Sequence, residues 1–207
     1  MDRLPTVSRG ALAAAAVLLL VAGCRGGADR PMRSRTEGVA ASGQAPAPER
    51  WCDAFYSGTG APALALPAVV PARPAEALPP VPGDRWVWVN LWATWCEPCR
   101  REMPLLVRWH EQLAREGVPV ELLFVSVDER QQDLTAFLRD NPTMAPGPSV
   151  RLASFSELAP WLAGFRGAPA GTIPLQLIAA PGGKVRCVRA GSLRDSDFPM
   201  VRRLFGT

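Results

Sequence analysis

Val89-Asn90-Leu91-Trp92-Ala93-Thr94-Trp95-Cys96-Glu97-Pro98-Cys99 joins two patterns of different period. Its first residues continue the run Trp86–Trp92, nearly all apolar or aromatic, as a strand covered on both faces must be. Its last residues open a helical pattern over 96–116. There Leu105, Leu106, Trp109 and Leu113 share a stripe, Arg and Glu fill the intervening positions, and Gly117 stops the helix. Both cysteines therefore stand at a strand-to-helix junction. A Cys at a helix N-terminus faces backbone N–H groups without intrahelical partners and the positive end of the helix dipole, which stabilise thiolate over thiol. The second Cys, one turn on, reaches back to close a small disulfide ring, and Pro98, which lacks an N–H, suits the first helical turn. The same spacing serves zinc, but a structural zinc site takes four ligands, usually from two such pairs. This chain has no second pair, and His110 is its only histidine. The pair is a redox motif, with no metal and no cofactor implied.

Outward from the junction, residues 120–127 read as a second buried strand. Strand, helix and strand in this order make a βαβ unit with parallel strands and a right-handed crossover. A helix is expected over 130–140 with Leu134, Phe137 and Leu138 inward, then a short strand over 150–153 and a helical patch over 157–165. Leu175–Ala180 and Lys184–Arg189 are two strands joined by Pro181-Gly182-Gly183, a hairpin by its turn residues. Residues 198–205 make a closing helix. The expected class is α/β, a mixed central sheet with helices on both faces. The Pro- and Gly-rich stretch 141–170, with Trp161 and Phe165, reads either as a groove wall or as a packed connector. Trp86, Trp88 and Trp109 sit at core spacing, which leaves Trp92 and Trp95 as site residues among the tryptophans. His110 falls on the polar side of its helix and reads as solvated. Asp128 and Glu129 fall between a strand and a helix, where carboxylates cap N–H groups.

The N-terminal quarter is of another kind. Arg3 and Arg9 precede an uncharged apolar stretch over 10–22, short for a membrane span of about 20 residues and ending in small residues, as a secretory signal does. Leu20-Val21-Ala22-Gly23-Cys24 resembles the lipobox of bacterial lipoproteins, which implies a signal peptide over 1–23 and a lipid on Cys24. Residue 25 is Arg, so nothing marks the inner rather than the outer membrane. Residues 24–50 carry little to bury and read as a flexible tether, with the folded domain over 51–207. The net charge of +4 is misleading: residues 1–50 hold seven Arg against four acids, and the remainder sixteen basic residues against fifteen acids. A near-neutral domain offers no nucleic-acid footprint.

Residues 89–104, from Val89 through the Cys96-Glu97-Pro98-Cys99 pair to Pro104, resemble the signature of the TlpA/ResA-like branch of the thioredoxin-like superfamily. The resemblance implies a thioredoxin-like fold over the domain and thiol–disulfide exchange with protein disulfides or dithiols. In it Cys96 attacks, Cys99 resolves, Trp95 shields the pair, Glu97 and Pro98 flank it, and Pro104 kinks the helix. It also implies a cis-proline at Pro174, with Thr172 and Ile173 before it presenting backbone to a bound substrate strand. The expected setting is extracytoplasmic, lipid-anchored to a bacterial membrane facing the periplasm, with a membrane thiol carrier as electron donor. Reductase is the implied direction, in tasks such as cytochrome c maturation or disulfide repair. A dithiol oxidase, a peroxiredoxin-like peroxidase and a non-enzymatic binding lipoprotein are the alternatives on this fold. Thioredoxin itself has a buried Asp six residues before its first Cys, and this chain has Asn90. An amide accepts no proton, so a base for Cys99 comes from elsewhere, Glu97 or water. With Cys24 lipidated and Cys96 paired with Cys99, Cys52 and Cys187 remain: either they form a structural disulfide, or Cys187 is a buried thiol and Cys52 lies free.

Overall fold

The computed structural model describes residues 47–206; the expected signal peptide over 1–23, Cys24 and almost all of the expected 24–50 tether lie outside the described residues. In chain order the elements are α1 (Pro48–Trp51), β1 (Ala54–Phe55), β2 (Val69–Pro71), β3 (Trp86–Trp92), α2 (Glu97–Arg115), β4 (Val120–Ser126), α3 (Gln131–Asp140), β5 (Ser149–Leu152), α4 (Leu158–Leu162), β6 (Leu175–Ala180), β7 (Lys184–Ala190) and α5 (Phe198–Leu204). The strands form one sheet in the order β1-β7-β6-β3-β4-β5-β2. At its centre β3 runs parallel to β4, as expected of the βαβ unit, and antiparallel to β6, which pairs with β7 as the expected hairpin.

β3 is buried on both sides because its two faces meet different partners. Trp88 packs against Trp109 of α2 and Phe205 beyond α5, and Trp86 meets Phe205 edge-on. Val87, Val89 and Leu91, on the opposite face, are equally inaccessible. The stripe on α2 faces inward as its spacing requires, with Leu105, Leu106, Trp109 and Leu113 all buried. Pro104 lies within α2, which runs on past it to Arg115. His110 is not simply solvated: its Nε2 meets the Val120 carbonyl at 2.9 Å, tying α2 to the start of β4.

Two short strands lie outside the sequence expectation. β2 covers the edge at β5, and Pro71 is tolerated there because an edge position needs no ladder N–H on its outer side. β1 covers the other edge, with Ala54 opposite Val188 and Phe55 opposite Cys187. Cys52 is joined to Cys187, Cα to Cα 5.5 Å, across 135 residues of sequence. The same segment is held at three further points. Tyr56 Oη accepts the Arg166 N–H at 2.6 Å, the Arg166 guanidinium covers the Tyr56 ring, and Arg189 covers Trp51. Gly167 makes the approach possible: its φ is +73°, and a Cβ there would stand 2.8 Å from the Asp53 carbonyl carbon.

Backbone atoms cannot yield as a flexible side-chain end does. Gly167→Ala is therefore expected to lower the unfolding free energy by on the order of 1–3 kcal/mol, from strain in φ alone, before the clash is added. Urea unfolding measures it, and an unchanged midpoint would show that the 51–56 segment is not held at this point.

Candidate active site

Cys96 is the N-cap of α2, extended at φ −84° and ψ 94°, with its Sγ accepting the Cys99 N–H at 3.3 Å. Cys96 and Cys99 are bonded to each other, Cα to Cα 5.3 Å. Cys99 is wholly inaccessible, and Cys96 keeps a narrow opening at 5% exposure. Around them Trp95 is 65% exposed. Glu97 is exposed and paired with Arg101 at 2.6 Å, which directs its carboxylate along the helix and away from Cys99. Pro98 occupies the first turn. The Ile173–Pro174 bond is cis. Since Leu91 pairs with Leu175, Pro174 lies level with Trp92, at the end of the sheet from which the Cys96 loop departs. Thr172 and Ile173 are half-buried there.

Trp92 is not a site residue: it is fully buried and packs on Phe137 of α3. Asp128 is not a helix cap either, because α3 begins at Gln131 with no side-chain cap. Its carboxylate instead accepts the Thr94 N–H at 3.1 Å, the Thr94 hydroxyl at 2.7 Å and the Ser126 hydroxyl at 2.7 Å. Arg151, itself buried, donates to the Asp128 and Glu129 carbonyls and to Gln131. The loop carrying Cys96 is thus clamped, two residues upstream, to the end of β4.

Position 90 is Asn, but a buried carboxyl stands on α2. Glu102 is three residues after Cys99, one turn on along the same face, and is only 3% exposed. Its Oε1 accepts Asn90 Nδ2 at 2.9 Å and Gln176 Nε2 at 2.8 Å, and its Oε2 accepts the Leu193 N–H at 2.8 Å. Burial outweighs these three donors and pushes its pKa up from 4.5 to about 7. The group thus exchanges a proton near neutrality. A cleft of about 330 Å³ beside it, walled by Pro98, Leu105, Arg101, Arg108, Arg194 and Asp195, gives the carboxyl a path to solvent. In the sequence Glu102 is one of several charged residues on α2, which by composition alone face outward. The available signal was its position within the apolar stripe, between Cys99 and Leu106. Among the described residues, no cluster of three or more His, Cys, Asp or Glu is arranged to hold a metal, and no helix is long and apolar enough to cross a membrane.

A thioredoxin-like family model matches residues 83–157, which include β3, α2 and the cysteine pair. The thioredoxin-like protein YneN of Bacillus subtilis is 37% identical over 51 residues, 25% of this chain and 30% of that protein. The thiol-disulfide oxidoreductase ResA of Bacillus subtilis is 28% identical over 110 residues, 53% of this chain and 55% of that protein. The chain thus spans about half, or less, of the length of these relatives. Among solved structures, a thioredoxin-related protein from Neisseria meningitidis serogroup B superposes with a TM-score of 0.48 at 22% identity, covering 68% of this chain and all of that one. The fold is thioredoxin-like, the α/β class with the mixed sheet expected.

Two outcomes follow from this geometry. In the reduced protein Cys96 should take up iodoacetamide well ahead of Cys99 near neutral pH, and preferential labelling of Cys99 would reverse the assignment of roles. For Glu102 the folded pKa lies above the unfolded one, so the protonated form is the one folding favours. Its contribution is full below about pH 4.5 and is lost as pH rises through about 7, a fall of roughly 3 kcal/mol. Urea unfolding of the oxidised protein should show that decline, and Glu102→Gln should remove it. An equal decline in the variant would place the titrating group elsewhere.

Proposed function

We propose that this protein is a thiol–disulfide oxidoreductase that exchanges disulfides with protein substrates through Cys96 and Cys99. The observation that carries the reading is one juxtaposition. A cysteine pair caps a helix at the open end of the sheet, and a buried carboxyl titrating near neutrality stands one turn behind the inner cysteine. The thioredoxin-like match over 83–157 and the likeness to the ResA proteins support it.

In the proposed reaction the Cys96 thiolate attacks one sulfur of a substrate disulfide. The new bond joins Cys96 to the substrate, and the other substrate sulfur leaves as thiolate. Cys99 then loses its proton to the Glu102 carboxylate and attacks Cys96 Sγ. The mixed disulfide breaks, the second substrate sulfur leaves, and the pair ends oxidised. Two electrons have passed from the dithiol to the substrate. In this reading Trp95, Pro98 and the Thr172-Ile173-Pro174 segment, which lies at the same end of the sheet as Cys96, supply the surface on which an extended substrate strand lies. Glu97, paired with Arg101, takes part through that surface and not as the base.

The reading extends to setting and direction. The leader and Cys24 support an extracytoplasmic protein, lipid-anchored to a bacterial membrane and facing the periplasm. The ResA likeness supports work as a reductase recharged by a membrane thiol carrier. The Cys52–Cys187 pair is then a structural disulfide set away from exchange, buried between β7 and the residues just before β1.

Cys99→Ser should accumulate mixed disulfides with substrate, because the step that releases it has lost its nucleophile. Such adducts appear on gels run without reductant and vanish with dithiothreitol. A variant that captures nothing covalently, from a preparation rich in protein disulfides, would falsify exchange through Cys96.

A further inference from the structure

Glu102 meets two side-chain donors, and both come from amides on adjacent strands, Asn90 of β3 and Gln176 of β6. An amide serves a carboxylate only if its NH2 and not its oxygen faces the acid. For Gln176 that choice is made by a third residue. The Trp88 indole N–H, which can only donate, points at Gln176 Oε1 at 2.9 Å. The Asn90 NH2 adds a second donor to the same oxygen at 3.2 Å. With its oxygen engaged, Gln176 has only its NH2 left for Glu102. Trp88, Asn90 and Gln176 are all fully buried, so water offers no substitute. A turned amide would set two oxygens against each other and leave the indole N–H unpaired, which is costly in a dry interior.

Resting on the exchange reading above, we infer that Gln176 is a positioning residue for proton transfer at Cys99, its amide oriented by Trp88 so that it donates to Glu102. A donor to the carboxylate favours the charged, proton-accepting form. Gln176 thereby opposes the burial that pushes Glu102 upward and keeps its carboxylate available at neutral pH. The charged groups around Glu102 are Arg101 and Arg108 of its own helix and Arg194 and Asp195 beyond β7. Arg101 is engaged with Glu97 and Arg108 with Asp195. The strands β3 and β6 present only the two amides.

The test uses the reduced full-length protein and an aromatic disulfide that releases a coloured thiolate, such as dithiobis(nitrobenzoate). The first equivalent released reports attack by Cys96, and the second reports resolution by Cys99. In the wild type the second release accelerates with pH through an inflection that Glu102→Gln abolishes. Gln176→Met keeps the length of the side chain and removes its amide. It should move that inflection up by about one pH unit, the worth of one hydrogen bond to a charged group, while the first release keeps its pH profile. Trp88→Phe should move it in the same direction by less, because Asn90 still donates to the Gln176 oxygen. Gln176→Leu gives the same reading should the Met variant fold poorly, and titration of the Glu102 carboxyl by 13C NMR gives it without turnover. An inflection that stays at the wild-type pH in the Gln176 variants, while Glu102→Gln still abolishes it, overturns this inference alone. A wild type that shows no second release, or an inflection indifferent to Glu102→Gln, overturns the exchange reading with Glu102 as base.

Discussion

A carboxylate with almost no access to water has to be held by donors, and at this site the donors are part of the sheet itself. Glu102 turns inward from α2 between Cys99 and the β3–β6 pair. Asn90, Gln176 and the Leu193 N–H together meet it from two strands and the segment that follows β7. Remove the antiparallel pairing of β3 with β6 and the two amides no longer share one oxygen. Remove the inward stripe of α2 and the acid swings out to solvent. The position of this carboxyl therefore depends on the same packing that forms the core. No separate scaffold is built for it.

The Cys96 side of the pair is held by a different device. Cys96 stands on a loop that leaves β3, and a loop holds a side chain accurately only when something stops it moving. Here the Asp128 carboxylate takes both the N–H and the hydroxyl of Thr94, and Arg151 braces the backbone at Asp128 and Glu129. The cis bond at Ile173–Pro174 lies at the same end of the sheet through the Leu91–Leu175 pairing. Everything on this end is fastened through β3, β4, β5 and β6, the four strands with most of their length buried. The edges carry other work: β1, with Cys52 and the Tyr56–Arg166 contact, ties the beginning of the domain to β7 and to the stretch before the cis-proline.

The elements that define this architecture were legible in the sequence because each repeats its signal. Seven residues, apolar but for Asn90, make β3, the stripe from Leu105 to Leu113 marks α2, and Pro181-Gly182-Gly183 turns β6 into β7. β1 and β2, of two and three residues, repeat nothing and were invisible. The cysteine pair was legible from its place between two periods. Its proton partner was not, since a Glu within an Arg- and Glu-rich helix looks like every exposed neighbour until tertiary packing decides which way it faces. Gln176 was hidden in the opposite way, as one polar letter in an otherwise apolar strand. Asp128 was read by its proximity to α3, but the helix begins three residues later and the carboxylate turns back to the loop before α2. Local sequence names the caps a helix accepts, and long-range contacts choose among them.

Placing the acid on α2 and not on β3 has a physical consequence. A carboxylate on a strand beneath the cysteines stands at a distance from Cys99 set by how helix and sheet pack, which every core substitution perturbs. Glu102 is spaced from Cys99 by three residues of the same helix, so the separation is set by helical pitch and survives changes in the layer below. A second carboxylate at position 90 would make this worse: two acids sharing one buried site repel, and one of them is driven to stay protonated. Asn90 avoids that and supplies a donor, although its own oxygen is left without a partner in the buried site. The work is then divided by element. Under the proposed exchange the helix sets where the proton goes, and the amides on the sheet, oriented through Trp88, set how readily it is taken.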